Sequence, residues 1–141
     1  MAFAPEIPPI QAHLCVKGGL DAIAFYEQAF GAETTFQQMA EDGKRVMHAN
    51  LALFGGQIML HDEFPEYGMG MVSPKTAGGA SVAISINFPT ASDVDAAYAS
   101  AIAAGASTVM QPQDTFWQAR YARVLDPFGH MWAFNAPVAG S

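Results

Sequence analysis

Apolar and polar residues alternate with a period of two along Ile10-Gln-Ala-His-Leu-Cys-Val16, which predicts a strand. Ile10, Ala12, Leu14 and Val16 fall on one face, and Gln11, His13 and Cys15 on the other. Gly18-Gly19 breaks the run. From Leu20 to Phe30 the period becomes helical, with Leu20, Ile23, Ala24, Glu27 and Phe30 as the predicted stripe and Gly31 at the position of a left-handed cap. Three strand patterns follow, Glu33–Met39, Val46–Phe54 and Gln57–Asp62, with turns at Glu41-Asp-Gly43 and Gly55-Gly56.

The same order is then written a second time. Ser81–Asn87 alternates, Thr90-Ala-Ser-Asp93 is a helix-start pattern, and Val94, Ala97, Tyr98, Ala101 and Ile102 form a stripe that ends at Gly105. Ser107–Gln111, Ala119–Leu125 and His130–Asn135 are strand patterns, and Asp126-Pro-Phe-Gly129 is a type I turn by residue type. A repeat of about 70 residues accounts for the parallel. The expectation is an α+β protein of two tandem βαβββ modules, at about residues 8–63 and 80–136, forming a cupped mixed β-sheet with helices outside. Residues 64–79 are rich in Gly, Pro and Met, and read as a connector that doubles as a lid.

Composition narrows the function classes. With 51% hydrophobic and 13% charged residues over 141 positions, the chain is one folded domain rather than a disordered segment. Six Lys and Arg face thirteen Asp and Glu, for a formal charge of −7, and the six cations stand singly, so no basic face for nucleic acid is present. No apolar run reaches the roughly 20 residues of a membrane span. MAFAPEIPPIQ has neither a basic nor an apolar leader region, which sets the expectation of a cytoplasmic protein. Cys15 is the single cysteine, so neither an internal disulfide nor a cysteine-built zinc site can form. Phosphate-loop, dinucleotide and nucleophile-elbow patterns are absent.

The paired βαβββ order, Ala22-Ile-Ala-Phe-Tyr26…Phe30-Gly31 and Asp126-Pro-Phe-Gly-His130…Trp132 resemble the vicinal oxygen chelate superfamily, which includes glyoxalase I, extradiol dioxygenases, and fosfomycin- and bleomycin-resistance proteins. Met47-His48-Ala49…Gly55-Gly-Gln-Ile-Met-Leu-His-Asp-Glu63 and Phe116-Trp117…Arg120-Tyr121 look most like its PhnB-like branch. The resemblance spans about Ile10 to Phe134. It implies a homodimer and a cleft in which enzymes of the superfamily hold a divalent metal on four side chains. Those positions correspond to Gln11, Leu60, Ser81 and Ala133 in this chain. Only Gln11 supplies a donor of the expected kind; Leu60 and Ala133 supply none, and a serine hydroxyl is a poor ligand for Zn, Ni or Fe. The expected metal and cofactor content is therefore none.

Gln11, His13, Asp62, Trp117, Arg120 and Tyr121 are the cleft candidates. His13 can act as a hydrogen-bonding group or base in the pocket. Arg120 can hold a carboxylate or phosphate, or serve in a surface ion pair. Phe116, Trp117 and Tyr121, with Phe64, Tyr67, Met69 and Met71, are apolar wall material for a small-molecule ligand or else core and dimer interface. If Ile58, Leu60 and Asp62 face the cleft, alternation turns His61 to the helix side. The reading that follows is ligand binding or sequestration. The alternative is a metal-dependent lyase, isomerase or dioxygenase that draws a non-standard ligand set from Gln11, His13, His48, His61, Asp62 and Glu63, and a third is a structural domain with an occluded cleft. Whether the chain is an enzyme stays open at this level.

Overall fold

The two repeats fold as two βαβββ modules, in a computed structural model that describes residues 7–68 and 70–138. Residues 1–6, on which the leader reading partly rests, and Met69 lie outside the described residues. In the first module β1 (Ala12–Val16) leads into α1 (Gly19–Phe30), followed by β2 (Glu33–Met39), β3 (Val46–Leu53) and β4 (Gly56–Asp62). The second has β5 (Ala83–Asn87), α3 (Ala91–Ala104), β6 (Ser107–Asp114), β7 (Ala119–Leu125) and β8 (Met131–Pro137). The connector is less irregular than its composition suggests, with a 3₁₀ turn at Pro65–Tyr67 and a one-turn helix α2 at Pro74–Ala77.

Each module closes its own mixed four-stranded sheet, in the orders β1-β4-β3-β2 and β5-β8-β7-β6. The first strand runs parallel to the last, as the helical crossover requires, and the other pairs are antiparallel hairpins. One face of each sheet is apolar: Leu14, Val16, Leu51, Ile58 and Leu60 in the first, Val124, Trp132 and Phe134 in the second, all buried. These faces share a single core with α1 and α3, and α1 packs directly on α3.

The buried stripe of α1 is broader than its sequence predicts and is rotated. Ala22, Ile23, Phe25, Tyr26, Ala29 and Phe30 are buried, whereas Leu20 is 46% exposed. The reason is that α1 packs on two sides. Phe30 lies 4.7 Å from Trp132 and 6.0 Å from Phe134, ring centre to ring centre, both in the other module. On α3 the predicted stripe stands: Val94 and Ala101 are buried, with Ala97, Tyr98 and Ile102 packed beside them. Its start is tied by the Asp93 carboxylate, which accepts from the Thr90 amide at 3.2 Å and hydroxyl at 2.8 Å.

Candidate functional site

The faces turned away from the core carry the polar chemistry. On the first sheet, Gln11 and His13 lie beside Gln57, Met59 and His61 of β4 and His48 and Asn50 of β3. They sit opposite in parity to the core residues of the same strands. A groove of about 1200 Å³ runs over this face, with Gln11, Thr35, His48, Asn50, Gln57 and Met59 among its walls. The Gln11 amide donates to Gln57 Oε1 at 3.1 Å, and His48 Nε2 lies 2.8 Å from Asn50 Oδ1.

Three imidazoles meet here. The His13 ring stands edge-on to His61 at 4.8 Å and to His48 at 5.6 Å, centre to centre. Although His13 keeps access to solvent, packing against its neighbours, then repulsion from His61 and His48, holds its pKa below the usual 6.5. That shift favours the uncharged ring.

The structure reverses the expected orientation of β4. Ile58 and Leu60 face the helices, so it is His61, not Asp62, that joins the open face. Asp62 is 4% exposed. Its Oδ1 accepts from the amides of Gly18 at 2.8 Å and Gly19 at 2.9 Å, and Oδ2 accepts from Val46 at 2.7 Å. It caps the start of α1 from another strand, satisfying amides that have no partner within the helix. A Cβ on Gly19 would lie 2.5 Å from Asp62 Oδ2 and 2.7 Å from Val46 Cγ2, so glycine is needed for this approach. Asp62 is a structural residue and leaves the list of cleft candidates.

Arg120 is corrected in the same way. It points to the helix side of the second sheet, where it pairs with Asp95 of α3 at 2.9 Å and Asp114 at 3.3 Å. Trp117 and Tyr121 do come together, with ring centres 5.8 Å apart on the open face of that sheet. The cation beside them is one that sequence reasoning missed: Arg123 donates to the Tyr121 hydroxyl at 2.8 Å. Arg123 sits two residues along the same strand from Tyr121, and that period-two spacing was the available signal. Phe116 packs on Trp117 and is 94% exposed.

The connector aromatics form a separate group. Phe64 stacks on Tyr67 beneath the Arg45 guanidinium, whose Cζ is 4.3 Å from the Phe64 ring centre. No ring contact among the described residues joins them to Trp117. Glu63 anchors the connector by accepting from the Ser73 amide at 2.7 Å. Cys15 is 3% exposed, and burial, then the charges of Glu63 and Asp62, pushes its thiol up to about 11, which makes it a poor nucleophile at neutral pH.

A model of the Glyoxalase/Bleomycin resistance protein/Dioxygenase superfamily matches residues 10–134. The chain belongs to this superfamily. An uncharacterized protein of Mycobacterium bovis is 39% identical over 132 residues, covering 93% of this chain and 84% of that one. Among solved structures, TioX from Micromonospora sp. ML1 aligns with a TM-score of 0.67 at 25% identity, covering 95% of this chain and 99% of that one. A PhnB protein from Bacillus cereus, titled a putative 3-demethylubiquinone-9 3-methyltransferase, aligns with a TM-score of 0.68 at 16% identity, over 94% of this chain and all of that one; at that identity the likeness is one of fold.

The donor set can be tested against the superfamily's metal. Gln11 is on the open face; its amide nitrogen donates to Gln57, and its Oε1 is the one donor of the expected kind among the four positions. Leu60 is fully buried and faces the helices, and its chain neighbours on the open face are Met59 and His61. Ser81 lies outside β5, and Ala133, on the open face of the second sheet, has no donor. Among the described residues, no three His, Cys, Asp or Glu side chains gather so as to hold a metal ion. These residues do not fit the superfamily's divalent-metal site.

Proposed function

We propose that this protein binds or sequesters a small organic molecule on the open sheet faces, without the divalent metal used by enzymes of its superfamily. The observation that carries this reading is chemical: the four inherited ligand positions hold one amide, two side chains with no donor, and a serine. What the open faces offer instead suits recognition. Amides of Gln11, Asn50 and Gln57 and the imidazole of His48 line one groove, and Trp117, Tyr121 and Arg123 form an aromatic and cationic set on the other sheet.

A cytoplasmic homodimer is part of the proposal. Both sheets leave one face uncovered, and Ile10, Val82 and Phe116 are 88%, 71% and 94% exposed. A second copy would cover such surface.

The test is elemental analysis of tag-free protein, followed by melts and Trp fluorescence titrations with planar aromatic and drug-like compounds, with and without EDTA. The expected result is protein without stoichiometric Zn, Ni, Mn or Fe, and at least one compound that quenches Trp117 and raises the melting temperature regardless of EDTA. Stoichiometric metal together with stabilisation by one of those ions would establish the metal-dependent alternative.

A further inference from the structure

A second cavity, of about 370 Å³, lies between the β1 edge, the connector and the β5 edge, and is lined by His13, Cys15, Met71, Val72, Ile84 and His130 among others. Beside its wall residue Met71, two donor atoms face each other. His61 Nε2 stands 3.4 Å from the Sδ of Met71. On its other side the ring is fixed, because His61 Nδ1 lies 2.6 Å from the backbone carbonyl oxygen of Asp62. A carbonyl only accepts, so Nδ1 carries a hydrogen, and in the tautomer with that single ring hydrogen the Nε2 lone pair is aimed at a thioether sulfur that also bears lone pairs. A soft cation placed between two such atoms would be bound by both. A histidine that donates its remote N–H to a backbone carbonyl and presents the other nitrogen is the usual preparation of a metal ligand.

The spacing suits one ion. Tetrahedral bonds of about 2.0 Å to nitrogen and 2.3 Å to sulfur leave the two ligand atoms about 3.5 Å apart, and two imidazoles on such an ion have centres about 5 Å apart. The observed values are 3.4 Å for His61 and Met71 and 4.8 Å for the His13 and His61 rings. Among the described residues no hydrogen bond occupies the His13 ring nitrogens, so the nitrogen that carries no hydrogen is open to an ion. His48, beyond His13, has turned its Nε2 to Asn50 and takes no part.

We propose that His13, His61 and Met71 form a binding site for a soft monovalent metal ion of the copper(I) class. Thioether and imidazole donors with no carboxylate among them select that ion over zinc, manganese or iron. None of the three residues is at an inherited ligand position, and the proposal stands or falls separately from ligand binding in the groove. The connector thereby acquires a role, since the segment that carries Met71 is tied to the first module through Glu63 and Arg45.

The test is anaerobic titration of the full-length protein with copper(I) in excess ascorbate, in competition with a chromophoric copper(I) chelator and followed by NMR of methionine methyl and histidine ring signals. The expected result is one equivalent held against the chelator, with the Met71 methyl and the His13 and His61 rings shifting together. Met71→Leu and His61→Gln should each weaken binding at least tenfold, and Zn(II) should leave the Met71 methyl in place. Met71 is 41% exposed, so Met71→Leu leaves the core untouched, and circular dichroism confirms its fold. The proposal is overturned by equal affinity in both variants, or by failure to hold copper(I) against the chelator. It is equally overturned if binding disappears only in Cys15→Ser, which marks capture by the thiol. A Met71 methyl that moves only on acidification would identify the contact as an N–H···S bond from protonated His61, and would likewise overturn it.

Discussion

The Tyr26 hydroxyl donates to Asp126 Oδ2 at 2.5 Å, joining the helix of the first module to the turn of the second across 100 residues of sequence. Trp132 Nε1 donates to the same oxygen at 2.9 Å, and Oδ1 accepts from the amides of Phe128 and His130. Both residues are buried, so the repeat's two most recognisable motifs, Phe25-Tyr26 and Asp126-Pro-Phe-Gly129, meet as one structural lock. Burial, then the Asp126 charge, raises the Tyr26 pKa well above its ordinary value.

Removing that hydroxyl leaves Asp126 three donors but takes away the bond between modules. Tyr26→Phe is expected to lose about 1–3 kcal/mol in urea denaturation. A raised tyrosine pKa stabilises the fold below about pH 10, with the benefit lost as pH rises above the unfolded-state value. The wild type should therefore lose stability above pH 10 more steeply than the variant. Equal stability at neutral pH would show that the helix packing alone joins the modules.

Asp62→Ala would strand the buried amides of Gly19 and Val46 and remove the acceptor of the part-buried Gly18 amide. The expected loss is about 3 kcal/mol or more, with fluorescence-monitored denaturation as the readout. A change under about 0.5 kcal/mol is what an open-face residue would give, and would return Asp62 to the groove.

Gln11→Ala touches only the half-exposed amide pair with Gln57, so stability should stay within about 1 kcal/mol of wild type. Gly129→Val should cost more, about 2 kcal/mol or above, because φ is +93° and a Cβ there would meet Pro74 Cβ at 2.7 Å. Thermal melts of the two variants rank them directly; the opposite order would contradict the turn assignment.

The His13 ring proton, followed by NMR, should titrate with a midpoint below 6.5. His61→Gln should move the midpoint up only part of the way, since burial is the larger cause and His61 the second. The folded state resists this protonation, so the His13 contribution to stability is present above about pH 6.5 and lost as pH falls below it. A midpoint above 6.5 in the wild type would contradict the cluster's geometry.

Hydrogen bonds from Ser73 and Thr76 lower the Glu63 carboxyl to about 2. Its contribution is full above about pH 4.5 and lost as pH falls toward 2. Glu63→Gln should accordingly flatten the acid side of the stability profile in that window, and hydrogen exchange across residues 64–79 should quicken at neutral pH. Unchanged exchange would mean that Arg45 alone holds the connector.

Much of the architecture is written in local pattern. Period-two alternation located β2 and β7 to the residue, the helical period located both long helices, and Gly31 and Gly105 closed them, because these signals depend only on neighbours along the chain. Alternation also placed Gln11 and His13 together on one face, where the structure has them. What alternation states is which residues share a face; which face meets the core depends on what packs there. On β4 the carboxylate of Asp62 shares parity with Ile58 and Leu60, and only the arrival of the α1 amides makes that position a buried one. His61 thereby turned outward and met His13 and Met71, three side chains from separate segments whose meeting no spacing in the chain encodes. Arg120 likewise found Asp95 across a helix–sheet contact. The sequence by itself determined the order, type and repeat of the elements and the superfamily they belong to, since those are local and periodic. The tertiary structure alone decided which polar groups are spent on holding the modules together and which remain to bind, since that follows from contacts between residues distant in the chain.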